Sequence, residues 1–378
     1  MSMNPNYPLT FTFVLTQDCQ LACKYCYLVG KNSKNKMRFS TAQDTVDYLI
    51  SNPELFPQES VVFDFIGGEP LLEISLMDLI CDYIKVQLYA HKHRWFSNYK
   101  FNISTNGLLY SDKRVQNFIY KNKNSLSLTI SIDGTKSKHD ANRIYSNGKG
   151  SYDDVIKQIP KWLHDFPNAS SKVTVSSSDI PYLAESILHL FDLGMHTVNS
   201  NVVYENVWKD GDDKFFEAQL MKLADNMIEN KYYRTCTCSF FDSFIGKPVN
   251  DNNNWCGSGM SMLALDSNGY LYPCIRFMDF SLSNKKARIV GNLKTGLDIN
   301  KLRPFLSLDK KSQSKIQCMN CGVASGCAWC TGYNYDSAKT ETIFERATFI
   351  CKMHKARVRA KEYYWKRMNE IIGTYKYD

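Results

Sequence analysis

Over its first two thirds the chain alternates between two hydrophobic periods. Short runs rich in β-branched and aromatic residues, at 9–16, 61–66, 99–105, 125–132, 172–176 and 196–204, predict six strands. Between them, apolar residues recur at helical spacing. One such segment opens with Ser40 and Gln43 as a capping box and continues through Val46, Leu49 and Ile50. A second places Leu76, Leu79, Ile80, Tyr83, Ile84 and Leu88 on one face, and a third carries Val115, Phe118 and Ile119. A fourth has Leu183, Ile187 and Phe191, with Gly194 as its stop. Strands alternating with helices predict parallel βαβ units. Six of them predict an α/β fold, a partial barrel with its site at the C-terminal ends of the strands. Residues 205–235 read as a bridging helix carrying Phe216, Leu220, Leu223 and Met227. Beyond it the texture changes: 236–351 is turn-rich and holds nine of the thirteen cysteines. Residues 342–373 read as one long basic helix whose Lys/Arg run is a solvated face.

Composition changes this picture little. A chain of 378 residues, 44% hydrophobic and 22% charged, is an ordinary globular protein long enough for a large core and a smaller domain. No run of 18 apolar residues predicts a membrane span, and MSMNPNYP has no apolar signal region. The expected compartment is the cytoplasm, where thiols stay reduced, so clustered cysteines point to metal. The net charge of +8 counts those cysteines as neutral. Cysteines bound to metal as thiolates would lower it. Charge therefore gives no reason to expect a nucleic-acid or membrane partner.

The chemistry starts at Cys19, Cys23 and Cys26, directly after the first strand. Three thiolates hold three irons of a [4Fe–4S] cube and leave the fourth open for chemistry. Zinc prefers four ligands in paired spacings, and disulfides need an oxidising compartment. Gly67-Gly68-Glu69-Pro70 follows the second strand, where glycines permit close backbone approach and the glutamate supplies a carboxylate; alone it reads equally as a tight turn. Ser104-Thr105-Asn106-Gly107 ends the third strand and reads by itself as a capping turn. Ser131-Ile132-Asp133-Gly134 ends the fourth, and Arg143 follows, a residue suited to bidentate pairing with a carboxylate. Asp133 and His139 read as turn or capping residues. Cys81, inside an amphipathic helix, reads as a buried structural thiol.

At the cysteine triad and the Gly-Gly-Glu-Pro turn the chain resembles the radical S-adenosylmethionine (SAM) enzymes. The resemblance implies a (β/α)6 TIM-like barrel over 1–204. It implies that the open iron chelates SAM, which one electron cleaves to methionine and a hydrogen-abstracting 5′-deoxyadenosyl radical. It places Gly67, Gly68, Glu69 and Pro70 at the SAM amino group, Ser104 and Asn106 near the ribose, Ser131 near the ribose or amino acid, and Arg143 on the carboxylate.

Farther on, Cys256, Gly269 and Cys274 are followed by Cys318, Cys321, Cys327, Cys330 and Cys351. This layout resembles the SPASM domain, a small cysteine-rich module holding two auxiliary [4Fe–4S] clusters, here over 236–351. By that pattern Cys318, Cys321, Cys327 and Cys351 hold the distal cluster, and Cys256, Cys274 and Cys330 the nearer one. Cys236 or Cys238 then completes the nearer cluster, or its fourth iron stays open. The gap between Cys327 and Cys330 is one residue shorter than the family usually shows, and a zinc ribbon is the competing reading. The remaining parts are a linker at 205–235 and a basic helix at 352–378. The cofactors implied are SAM and three [4Fe–4S] clusters.

Enzymes resembling this two-part layout mostly modify peptides or proteins. The leading expectation is a maturase that installs an oxidative thioether or carbon–carbon cross-link in a ribosomal precursor peptide. A formylglycine-forming anaerobic sulfatase maturase is the first alternative, but it carries an aspartate where this chain has Ile275 after Tyr272-Pro273-Cys274. The others are a small-molecule alcohol dehydrogenase of the same kind and a non-catalytic iron–sulfur electron-transfer protein. The cluster loop opens at residue 19, so leader recognition is expected from a separate protein or the C-terminal region, or is not needed. Flavodoxin or ferredoxin is the expected electron donor. No general base is legible in the sequence.

Overall fold

The computed structural model describes residues 2–30, 34–249, 252–254 and 256–373. All six expected strands form: β1 (Leu9–Thr16), β2 (Val61–Gly67), β3 (Tyr99–Thr105), β4 (Leu126–Ile130), β5 (Ser170–Val175) and β6 (Thr197–Val202). Packing divides the chain into two compact units. One comprises Met1–Thr129, Asn253–Gln313 and Thr331–Glu345; the other Ile130–Asn252, Ser314–Cys330 and Arg346–Asp378.

In the first unit β1, β2 and β3 pair in parallel and β4 follows β3 in the sheet. Their register lines up Phe11, Phe63 and Phe101 in one row and Phe13, Phe65 and Ile103 in another. These rings are fully buried, with Phe13 stacked on Phe65 at 5.7 Å and Phe65 tilted on Phe101 at 6.0 Å. Such contacts add to the burial of apolar area. The opposite face is polar. Asp64 accepts hydrogen bonds from Thr12 Oγ1 at 3.2 Å and Asn102 Nδ2 at 2.6 Å. Beyond β1 the sheet continues through β8 (Met262–Leu265), which pairs with β1 in parallel, then antiparallel through β9 (Tyr270–Tyr272), β10 (Gly291–Asn292) and β11 (Gly296–Leu297). Strand addition thus joins part of the cysteine-rich region to the N-terminal strands. The unit borders therefore differ from the linear borders expected at 204, 235 and 351.

Two helices of this unit depart from expectation. Helix Phe39–Ser51 starts one residue before Ser40, with Arg38 at the N-cap position and no side-chain cap bond, so the capping box does not form. The early start seats Phe39 edge-on against Tyr83, ring centroids 6.0 Å apart. Helix Ile74–Ala90 buries Ile74, Met77, Ile80, Cys81, Ile84 and Leu88, while Leu79 is 53% exposed. The inner face is rotated toward Met77 and Cys81, and burial holds the Cys81 thiol well above its usual range.

In the second unit β5, β6 and a short β7 (Thr237–Cys238) pair in parallel. Helix Leu183–Asp192 ends in a Schellman motif: Gly194 has φ +93°, its N–H donates to Phe191 O, and Met195 N–H donates to Leu190 O. Helix Asp212–Glu229 buries all four expected bridging residues. The last helix runs Cys351–Ile372, starting later than residue 342. β-Branched and aromatic residues at Thr342, Ile343, Phe344, Thr348 and Phe349 disfavour an earlier start. Its basic residues are not all solvated. Arg359 Nε donates to both Glu217 oxygens at 2.9 and 2.8 Å, Arg357 Nε donates to Phe240 O at 3.3 Å, and Lys361 is buried. Tyr364 stacks on Phe241 at 4.6 Å.

Candidate active site and cluster sites

Beyond β1 the chain turns through Thr16, Gln17 and Asp18 into the cysteine loop. Asp18 N–H donates to Thr16 Oγ1 at 3.0 Å, and Leu21 N–H donates to Cys19 Sγ at 3.4 Å. The Gly-Gly-Glu-Pro turn lies directly against this loop. Gly68 N–H donates to Thr16 O at 2.8 Å and Glu69 N–H to Asp18 O at 2.7 Å. A β-carbon at Gly68 would stand 2.0 Å from Asp18 O, and one at Gly67 would stand 2.1 Å from Thr16 O. Only glycine allows this approach, which answers the tight-turn alternative: the two motifs are one structure.

Glu69 is buried and fixed on three sides. Its Oε1 accepts from Thr105 Oγ1 at 2.7 Å and Leu71 N–H at 3.0 Å, and its Oε2 accepts from Asn106 N–H at 2.7 Å. Pro70, buried, opens the short helix Pro70–Glu73. Asn106 Nδ2 donates to Gln20 Oε1 at 3.0 Å, tying β3 to the cysteine loop. Sequence reasoning misses Thr105; the signal that could find it is the strand alternation that puts it on the face of Phe101 and Ile103. Ser104 lies on the other face and is exposed.

Cys26 and Tyr27 pack against an apolar cluster of Val14, Leu28, Ala264, Tyr272, Met278 and Phe280, which also receives Ile275. The residues around the first cluster loop and those after Cys274 therefore share one core. Burial pushes the Tyr27 phenol up; negative charge on Cys26, Asp64 and Cys274 acts in the same direction, and Arg276 opposes it. Burial likewise lifts the Asp64 carboxyl, while the bonds from Asn102 and Thr12 restrain the rise. Asp279 Oδ1 accepts from Ala287 N–H at 3.2 Å.

In the second unit Ser131 is partly exposed, and Ser171 Oγ donates to the carbonyl of Ile132 at 2.9 Å. Arg143 Nε donates to Asp133 Oδ2 at 3.0 Å, with Asp133 buried. His139 Nδ1 accepts from Asp133 N–H at 3.4 Å, and its Nε2 meets Ser151 Oγ at 3.0 Å. Ser151 Oγ donates to the Arg143 carbonyl at 2.9 Å. Asp133 and His139 thus form a buried frame that fixes Arg143, more than the turn residues expected. Burial pushes His139 down to about 4, so it is neutral near pH 7. Its unfolded form takes up a proton below about pH 6.5, and the folded form does not until about pH 4. Stability is therefore lost as pH falls through that window, at on the order of 1.4 kcal/mol per pH unit. The melting temperature of the wild type should fall more steeply between pH 6.5 and 4 than that of His139→Gln; parallel curves would refute the assignment.

The same unit holds a cavity of about 370 Å³ whose wall includes Cys318, Cys321, Cys327 and Cys351, the four cysteines expected at the distal cluster. Lys315, Arg346, His354 and Lys355 share that wall. Arg346 is buried; its Nη2 donates to Cys327 Sγ at 3.0 Å and Cys327 O at 3.2 Å. Burial pushes the Cys327 thiol up and Arg346 opposes this. Four thiols around one cavity, with cationic neighbours, match the donor set and charge of an iron–sulfur cluster held by four cysteines. Among the described residues, no three Cys, His, Asp or Glu side chains converge tightly enough for a single ion.

Cys256 and Cys274 belong to the first unit, Cys330, Cys236 and Cys238 to the second. Cys236 and Cys238 are buried and line a separate cavity of about 520 Å³ with Tyr233, Phe241, Tyr364 and Trp365. Burial pushes the Cys238 thiol up to about 11.

Residues 13–177 match the Radical SAM superfamily. The chain is 30% identical to an uncharacterized protein of Methanocaldococcus jannaschii over 50% of its own length and 60% of the other. It is 24% identical to a serine-type anaerobic sulfatase-maturating enzyme of Bacteroides thetaiotaomicron, over 70% of this chain and 69% of that one. It is also 24% identical to the mycofactocin maturase of Mycolicibacterium smegmatis, over 85% and 77%. The solved structure of native anSMEcpe with bound AdoMet superposes with a TM-score of 0.69 at 18% identity, covering 98% of this chain and all of that one. Streptococcus suis SuiB bound to precursor peptide SuiA gives 0.59 at 16% identity, covering 90% and 75%. The chain carries a radical SAM domain within a mixed α/β radical SAM fold, with a cysteine-rich C-terminal region. That domain implies SAM and one [4Fe–4S] cluster. Among the described residues, no helix is long and apolar enough to cross a membrane.

Proposed function

We propose that this chain is a radical SAM maturase that installs an oxidative cross-link in a ribosomal precursor peptide. Cys19, Cys23 and Cys26 would hold the SAM-binding cluster. Cys318, Cys321, Cys327 and Cys351 would hold a distal auxiliary cluster, and Cys256 and Cys274 would serve another. When bound, the first cluster supplies the electron that cleaves SAM, and the resulting deoxyadenosyl radical takes a hydrogen atom from the peptide. Joining two substrate atoms removes two hydrogens. One leaves on 5′-deoxyadenosine and the other as a proton to solvent or a base, and its electron would go to an auxiliary cluster if the C-terminal cysteines hold one. Glu69, held rigid by Thr105, Asn106 and Leu71 beside the cysteine loop, would orient SAM. The guanidinium of Arg143, oriented by Asp133, would suit a carboxylate partner.

The observation that favours peptide cross-linking over formylglycine formation is Ile275. It packs in the apolar cluster beside Cys26 and cannot accept a proton. Sulfatase maturation is kept as a second reading because similarity to the sulfatase-maturating enzyme spans most of both chains.

The test is anaerobic mass spectrometry of the reconstituted enzyme with SAM, reductant and a cysteine-rich precursor peptide encoded nearby. The expected result is 5′-deoxyadenosine together with a peptide lighter by two hydrogens. Formylglycine on a sulfatase peptide, with the precursor unchanged, would select the second reading. Turnover of a free alcohol alone would reject both.

A further inference from the structure

We infer that Arg346 sets the reduction potential of the distal cluster, making that cluster an electron sink. The inference rests on the proposed assignment of Cys318, Cys321, Cys327 and Cys351 as its ligands. Arg346 shares the cavity wall with all four thiols, yet it belongs to no cysteine motif. Its guanidinium bonds both the sulfur and the carbonyl of Cys327, at 3.0 and 3.2 Å, so its direction is fixed from two sides. Its Cζ lies over the Trp329 ring, 4.3 Å from the centroid. This cation–π contact holds the charge in place without competing for its N–H groups. Arg346 is 8% exposed and Trp329 7%, so water screens this charge little.

The sign follows from charge. Adding an electron makes the cluster and its thiolates more negative, and a buried cation donating to a ligand sulfur stabilises the more negative state. Hydrogen bonds to cluster sulfurs and local net charge are established determinants of such potentials. Arg346 therefore raises the potential. Lysine keeps the charge but loses the fork and the stack; glutamine keeps a donor without the charge; methionine keeps neither.

The experiment is an anaerobic redox titration of the full-length reconstituted enzyme, followed by electron paramagnetic resonance. The distal signal is identified as the component missing in Cys318→Ala. At a fixed potential near the wild-type midpoint, Arg346→Met should lower the reduced-to-oxidised ratio at least tenfold, equal to about 59 mV for one electron. Arg346→Gln and Arg346→Lys should fall between Met and wild type, in that order. An unchanged midpoint in Arg346→Met with full iron content overturns the inference. Failure of both Arg346→Lys and Arg346→Gln to assemble the cluster also overturns it, by making Arg346 an assembly residue. If Cys318→Ala keeps all iron and every signal, the cluster assignment itself fails, which is a separate outcome.

Discussion

Replacing Cys19, Cys23 and Cys26 together by alanine is expected to reduce 5′-deoxyadenosine formation to background while leaving the fold intact. The expectation has three parts. On the proposed set of three four-iron clusters, iron content should fall by about a third. Helix and strand content should stay, because the first unit is held by Phe11, Phe13, Phe63, Phe65 and Phe101, buried independently of the cysteine loop. Activity should vanish, because Glu69 and Asn106 would face a loop without its iron, and binding alone cleaves nothing. The loop and the Gly-Gly-Glu-Pro turn are mutually fixed through Thr16 O and Asp18 O, so serine at one of the three positions should already lower the rate strongly. Iron analysis, circular dichroism and chromatography of 5′-deoxyadenosine read the three parts separately. Residual deoxyadenosine at wild-type levels would reject the assignment of the triad.

Replacing Cys318 and Cys321 by alanine should give a different pattern. SAM cleavage should continue, because neither replaced residue belongs to the cysteine triad or to the Gly-Gly-Glu-Pro turn. Cross-linked peptide per deoxyadenosine should fall at least tenfold, since the product radical must give up an electron to close the bond. On the same proposal, iron should again fall by about a third. The variant separates two roles that loss of the triad merges: starting the reaction and completing it. Equal product yield per deoxyadenosine in variant and wild type would remove the distal cluster from the reaction.

Much of the candidate site is legible because its signals are local. β1 and β3 begin and end where their β-branched and aromatic runs predict, and the Gly194 stop follows from a backbone that only glycine takes comfortably. Cys318, Cys321 and Cys327 announce themselves by spacing, and Cys351 enters only through the resemblance. What spacing cannot reveal is long-range. The pairing of β8 with β1 joins residues some 250 positions apart and leaves no periodic trace. Arg346 is hidden in a stretch whose arginines and lysines look like one solvated run, although Arg346, Arg357 and Lys361 are largely enclosed. Thr105 is passed over for Ser104, its more accessible neighbour, because hydroxyls look alike until the strand faces are known. The rotation of helix Ile74–Ala90 toward Met77 and Cys81 is the same kind of ambiguity, since Leu79 and Leu76 satisfy the helical period as well.

The position of Cys351 carries a consequence for how the protein is made. Three thiols of the four-cysteine cavity come from residues 318–327, and the fourth is the first residue of helix Cys351–Ile372. At about 5–20 residues per second, ribosomes deliver that fourth thiol a second or more after Cys327. Until then the nascent loop presents an incomplete cage. On the proposed ligand set, a cluster there can be completed only once the last helix has formed and packed on helix Asp212–Glu229. In iron-poor cells the full-length chain would accumulate with this loop unpinned, a natural entry point for proteases, so cellular abundance should track iron supply.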